Sequence, residues 1–239
     1  MVKVKLLAYT PDPEKVVAAA AKLCYSKADI DTIMDGLTDE KVTKFLGTLV
    51  ERGHMSPFEH ASFTFGIEDV SRNLLAQLSR HRIASLSVMS QRYVHDNFGA
   101  VVPEAIKENA GCNDIYTQAI EAMFNIYDGL TEKLQDQYIS EGMDKKAAEK
   151  KATEDARYVL PGATCTKLIL TMNARELMHF FNLRCCFRAQ QEIREMADEM
   201  LRQVKEVAPT IFKNAGAPCV SGPCPEGKFS CGHPRKAGE

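Results

Sequence analysis

The chain has 239 residues, 45% of them hydrophobic, and a formal net charge of −2, enough apolar content for one substantial core. The near-neutral charge argues against a general electrostatic hold on nucleic acid or an anionic membrane, and neither is expected as a partner. No apolar run approaches a bilayer span, and Met1–Leu7 runs into the turn Thr10-Pro11-Asp12-Pro13 without a signal-peptide pattern, so a cytoplasmic protein is expected.

Val2 to Ala8 alternates as a strand does, and Pro13 opens an Ala-rich helix that ends near Cys24. Thr38 is placed as an N-cap, with Val42, Phe45, Leu46, Leu49 and Val50 at helical spacing until Gly53. Ala61–Ile67 alternates with period two and reads as a strand. Asp69 or Ser71 then caps a short helix carrying Leu74, Leu75 and Leu78. Ile115, Ala119, Met123, Ile126, Leu130, Leu134 and Tyr138 mark one apolar face of a long helix ending at Gly142, and a charged helix follows over 144–155. Cys165–Met172 is strand-like, Ala174–Cys186 and Ala189–Val207 are helical, and the chain after Pro209 is rich in Gly, Pro and Cys. These elements predict an α/β fold, a mixed sheet flanked by helices with a long helical middle segment. A single domain is expected over 1–212, with a tail over 213–239.

The densest chemistry lies in Gln77–Tyr93, where three arginines, one histidine and four serines share seventeen residues. Arginine offers a planar fork of donors suited to phosphate, and serine hydroxyls add short-range hydrogen bonds. Arg80, His81 and Arg82 are consecutive and cannot all point one way, as expected where two anionic ligands meet at a helix end. The cysteines Cys24, Cys112, Cys165, Cys185 and Cys186 sit among apolar or helical residues and read as reduced thiols, without a sequence-evident base beside Cys185 or Cys186. His54, Glu59 and His60 do not have His-Glu-x-x-His spacing, and Pro57 interrupts them, so no metal is expected.

Arg80-His81-Arg82, then seven residues, then Ser90, with Arg92-Tyr93 following, resembles the signature of flavin-dependent thymidylate synthases. His54-Met55-Ser56-Pro57-Phe58-Glu59-His60 upstream is similar to that family's segment before its alternating strand. Ala156-Arg157-Tyr158-Val159-Leu160-Pro161, Met172-Asn173-Ala174-Arg175-Glu176-Leu177, Leu183-Arg184 and Ala189–Arg194 extend the match, which runs from about residue 2 to residue 212.

The resemblance implies that family's fold and its reductive methylation of deoxyuridylate (dUMP) to deoxythymidylate (dTMP). It further implies methylenetetrahydrofolate as carbon donor, NADPH-reduced FAD as hydride source, and no enzyme nucleophile. Gln77, Arg80, Val88, Ser90, Arg92, Arg157 and Arg184 would bind dUMP, with Arg184 facing the uracil and acting catalytically. Ser56, Glu59, Arg80, His81, Arg82, Ile83, Asn173, Arg175 and His179 would hold FAD. His54 would act catalytically at the flavin and folate side. The resemblance also implies a homotetramer with active sites at subunit interfaces. Ser87 and Val88 depart from the family, which commonly has Asn and Glu there, and His179 stands where Asn is frequent. Those departures leave open a related flavoenzyme acting on a modified deoxyuridylate or using another carbon donor; a nucleotide- or nucleic-acid-binding regulatory protein is the alternative outside enzymes.

Two other patterns carry no such weight. Gly222–Lys228 imitates a P-loop, but Phe229 takes the Ser/Thr position and Pro223 and Pro225 remove amides. Cys219, Cys224, Cys231 and His233 match no common zinc module, and a reduced, mobile tail is expected.

Overall fold

The computed structural model describes residues 2–94 and 99–236. The chain divides into two compact units. The first comprises Met1–Glu68, Leu78–Ser87 and Ile169–Glu239, and the second Asp69–Gln77 and Val88–Leu168. Residues 213–236 group with the first unit.

The first unit starts with β1 (Lys3–Tyr9) and α1 (Pro13–Leu23), opened by Asp12 in the left-handed region with Pro13 at the first helical position. A short α2 (Ile30–Asp35), capped by Asp29, precedes α3 (Asp39–Glu51), whose N-cap Thr38 accepts from the Lys41 amide as its sequence predicts. A 3-10 turn over Ser56–His60 leads into β2 (Ser62–Ser71). On β2, Phe63, Phe65 and Ile67 alternate inward and are fully buried, against Phe212 at 5.3 Å from Phe63. The unit closes with α8 (Ala174–Arg184) and α9 (Gln191–Val207). On α9, Ile193, Met196, Ala197, Met200, Leu201 and Val204 form one buried stripe. Gln203 on the same helix clasps β1, its amide nitrogen donating to the Val4 carbonyl at 2.8 Å.

The second unit holds α4 (Arg72–Leu78), a short α5 (Glu104–Lys107), α6 (Ala110–Ser140) and α7 (Lys145–Ala156). Ser71, not Asp69, caps α4: its hydroxyl accepts the Leu74 amide at 3.0 Å. Gly142, at φ 96°, ends α6 in a Schellman turn, with Gly142 N–H on Ile139 O and Met143 N–H on Tyr138 O. Asp144 then caps α7. The core of this unit gathers on Tyr127 and Ala156, with Phe124, Leu130 and Leu134 against them. The stripe predicted on α6 is only partly correct. Leu130 and Leu134 turn inward, but Ile115, Met123 and Ile126 are exposed, because Tyr127 and Thr131 set the buried side.

Two further strands complete one four-stranded sheet in the order β1-β2-β4-β3: β3 (Ser85–Val88) and β4 (Cys165–Asn173). β1 and β2 pair antiparallel, Lys3 opposite Glu68 and Tyr9 opposite Phe63. Along β4, Thr64 meets Thr171 and Arg72 N–H meets Thr164 O, so those strands also run opposite ways. The α/β class is as expected, while the sheet is antiparallel where a mixed one was expected. Neighbouring strands need no parallel crossover here. Among the described residues, no helix is long and apolar enough to cross a membrane.

Candidate functional site

The expected site residues fall on both units, and the boundary passes through the signature stretch itself, between Ser87 and Val88. In the first unit, α4 has ended and the chain turns at Arg80, His81 and Arg82, with His81 N–H donating to Leu78 O. Arg80, Arg82 and Ile83 are exposed, whereas His81 is 7% exposed. Its ring packs edge-on to Phe180 at 4.9 Å and lies 6.2 Å from the ring of His179.

Helix α8 supplies the rest of this cluster. Its N-cap is Asn173, whose side-chain oxygen accepts the Glu176 amide at 2.9 Å, leaving the Asn173 amide nitrogen as its donor toward any ligand. Arg175 and His179, four apart, are both exposed on one face, as their spacing predicts. Arg184, in the last turn, donates Nε–H to Nε2 of His81 at 3.1 Å. Burial lowers the Arg184 pKa from its ordinary value. Burial, then the Arg184 and His179 charges, pushes the His81 pKa down to about 4, so at neutral pH the ring is uncharged and accepts from Arg184.

His54, Ser56 and Glu59 lie on or beside the exposed 3-10 turn before β2, anchored by the fully buried Phe58. Glu59 reaches α8, its Oε1 accepting from Arg175 Nη1. Arg80, Arg82, Arg175 and His179 thus offer exposed donors from one unit, and arginine forks of this kind suit phosphate oxygens.

In the second unit, β3 carries Val88 at a half-buried position, and Met89 N–H continues the pairing onto Lys167 O. An apolar side chain suits that half-buried position. Ser90 Oγ accepts the Arg92 amide at 3.1 Å, which tightens the turn after the strand. Arg92 Nη2 meets Glu154 Oε2 at 2.8 Å, joining that turn to α7. Arg157 follows α7 directly, partly exposed. Gln77 is partly buried near the end of α4.

The structure adds two residues that the sequence reading passed over. Arg72, at the start of α4, donates to the Met89 carbonyl at 2.7 Å. Burial lowers its pKa, and the Arg157 charge nearby lowers it further. A guanidinium with a like charge nearby gains from an anion beside it. Glu176 is 8% exposed, with Oε1 3.5 Å from His81 Nδ1. Both lie outside the Arg80–Tyr93 pattern, and an acid in the first turn of a helix reads as ordinary dipole compensation.

The remaining chemistry is muted. Cys185 is 1% exposed, and burial pushes its thiol pKa far up, so it stays protonated at neutral pH. Among the described residues, no three His, Cys, Asp or Glu side chains are arranged as ligands of a metal. Arg235 is held by Asp198 of α9 through two contacts of 2.7 Å.

Comparison with known proteins bears on this arrangement. A family model described as thymidylate synthase complementing protein matches residues 5–210. A flavin-dependent thymidylate synthase of Clostridium tetani is 57% identical over 97% of this chain and 93% of its own length. One of Geobacter sulfurreducens is 50% identical over 96% and 94%. The crystal structure of a UMP/dUMP methylase, PolB of Streptomyces cacaoi bound with 5-Br dUMP, superposes with a TM-score of 0.72 at 25% identity. That match covers 89% of this chain and 93% of the other.

Proposed function

Because the chain belongs to the flavin-dependent thymidylate synthase family, we propose that it converts dUMP to dTMP with methylenetetrahydrofolate, NADPH and FAD. The observation that carries the reading is Arg184, held on its Nε side by neutral His81, with its terminal nitrogens left to meet a ligand.

The methyl group must be built on a pyrimidine carbon that is a poor nucleophile in neutral uracil. A guanidinium against the uracil edge stabilises the ionised ring, which raises electron density at that carbon. We assign this to Arg184. When bound, methylenetetrahydrofolate would supply the one-carbon unit to that ring carbon in place of its proton, and FAD reduced by NADPH would supply the hydride that completes the methyl group. No attack by an enzyme thiol is needed, and the buried, protonated Cys185 suits that.

Gln77, Arg80, Val88, Ser90, Arg92 and Arg157 bind the rest of dUMP, Val88 through its backbone. Arg72 adds positive charge beside Arg157. Ser56, Glu59, Arg80, His81, Arg82, Ile83, Asn173, Arg175 and His179 hold FAD, and His81 also steadies Arg184. His54, exposed beside the turn that carries Glu59, serves the folate side. Residues 1–212 form the catalytic region of a cytoplasmic homotetramer whose active sites take residues from more than one chain. The exposed apolar row Ile115, Met123 and Ile126 on α6 is assigned to a neighbouring subunit.

The test is tritium release from 5-tritiated dUMP with NADPH, FAD and methylenetetrahydrofolate, with dTMP identified as product. Flavin-loaded protein that forms no dTMP overturns the proposal. A monomer in analytical sedimentation overturns the assembly.

A further inference from the structure

Glu176 stands outside every role assigned above. Asn173-Ala174-Arg175-Glu176 alone reads as a capping box, and the Asn173 half is present. Yet the Glu176 side chain is only 10% exposed, and a buried carboxylate is costly unless it has partners. Burial indeed raises its pKa, while His179 pulls the other way. Its Oε1 lies 3.5 Å from His81 Nδ1, on the side of the ring opposite Arg184.

The imidazole therefore has an acceptor facing Nδ1 and a donor, Arg184 Nε–H, facing Nε2. Only the neutral ring with its proton on Nδ1 satisfies both. Phe180 packs edge-on against the ring and restrains its plane. We infer that Glu176 and His81 form a positioning chain for Arg184: Glu176 fixes the tautomer of His81, and His81 fixes the guanidinium. With Nε engaged, the two terminal nitrogens of Arg184 remain as a planar fork toward the pyrimidine. This rests on the reading that Arg184 contacts dUMP. Glu176 is a positioning residue, acting through His81 and touching no substrate.

The experiment titrates dUMP into flavin-loaded wild type, Glu176→Ala, Arg184→Ala and the double variant, followed by flavin absorbance. Glu176→Ala is expected to weaken dUMP binding about tenfold, and the double variant to bind within about twofold of Arg184→Ala, because residues acting as one unit are not additive. Glu176→Gln keeps an acceptor and should stay within about threefold of wild type. Losses that multiply in the double variant overturn the chain and leave Glu176 a capping residue. If Arg184→Ala binds dUMP as wild type does, the assignment of Arg184 itself fails. Nitrogen-15 spectra of the histidine rings in the wild-type holoenzyme, with His81 identified by its loss in His81→Gln, test the chain without any destabilising variant. A proton on Nδ1 and a bare Nε2 at neutral pH support it, and the opposite tautomer overturns it.

Discussion

Glu59 and Arg175 meet at 2.5 Å between Oε1 and Nη1 across 116 positions of sequence, joining the turn before β2 to the first turn of α8. Both side chains are about half exposed, at 48% and 52%. An ion pair so exposed contributes only about 0–1 kcal/mol to stability. In the proposed flavin site the pair would aim Arg175. Arg175→Ala should therefore lower FAD affinity about ten- to a hundredfold, the range for a lost hydrogen bond to a charged group, while the melting temperature of the apoprotein barely moves. Flavin retention on desalting, beside calorimetry, checks this; unchanged retention removes Arg175 from the flavin site.

Arg92 is paired with Glu154, their side chains 41% and 35% exposed. If Arg92 binds dUMP as proposed, the nucleotide phosphate would compete with that carboxylate. Glu154→Gln should lower the KM for dUMP by about two- to fivefold, since the exposed pair that it removes is worth ~1 kcal/mol at most. Arg92→Ala should raise the same constant about tenfold or more. Steady-state kinetics with both variants decides, and a raised KM in Glu154→Gln would mean that Glu154 orients Arg92 rather than competing for it.

Removing the Arg184 guanidinium should cost far more in dUMP chemistry than in flavin. Arg184→Ala is expected to lower kcat/KM for dUMP by about a hundredfold or more, as for loss of a donor to developing charge. Its flavin content should stay near wild type. Equal loss of both would contradict the role given to this residue.

His81 makes stability depend on pH in a definite direction. Its folded pKa is about 4, below the ordinary 6.5, through burial and the facing charges of Arg184 and His179, with Glu176 across the ring. Between those values the unfolded chain holds a proton that the folded chain refuses. The contribution is complete above about pH 6.5 and is lost as pH falls toward 4, by an amount on the order of 3 kcal/mol. Glu176, shifted upward, works oppositely, so the comparison must be with His81→Gln. That variant should show a shallower fall in denaturation midpoint between pH 6.5 and 4.5; parallel curves would refute it.

Arg235 should pin the C-terminal segment. Its side chain is 8% exposed and its guanidinium stacks over Phe187 at 4.7 Å, while Asp198 is one-third exposed. Arg235→Ala leaves Asp198 without its partner and should cost about 1–3 kcal/mol, read as a lower melting temperature. Faster proteolytic release of the segment should accompany it. Unchanged proteolysis would show that other contacts hold it.

Much of this protein was legible without coordinates, because the relevant signals are local. Thr38 and Ser71 cap helices through bonds to amides three residues on, so residue type and spacing suffice. The alternation of Phe63, Phe65 and Ile67 shows a buried strand face for the same reason. The order Arg80-His81-Arg82, Ser90, Arg92 likewise sufficed to point to a family. Local pattern misled where two apolar faces share one helix: Ile115 and Met123 look like core beside Leu130 and Leu134, and only the partner helix decides which side is buried. It was silent on β3, since Ser85-Leu86-Ser87-Val88 alternates over only four residues inside a stretch that reads as ligand chemistry. The pairings Glu59–Arg175, Arg92–Glu154, Glu176–His81–Arg184 and Asp198–Arg235 had to come from the tertiary structure. Most of them join residues tens to more than a hundred positions apart, and in each the angle and depth of the side chains, which no spacing encodes, decide which charge meets which.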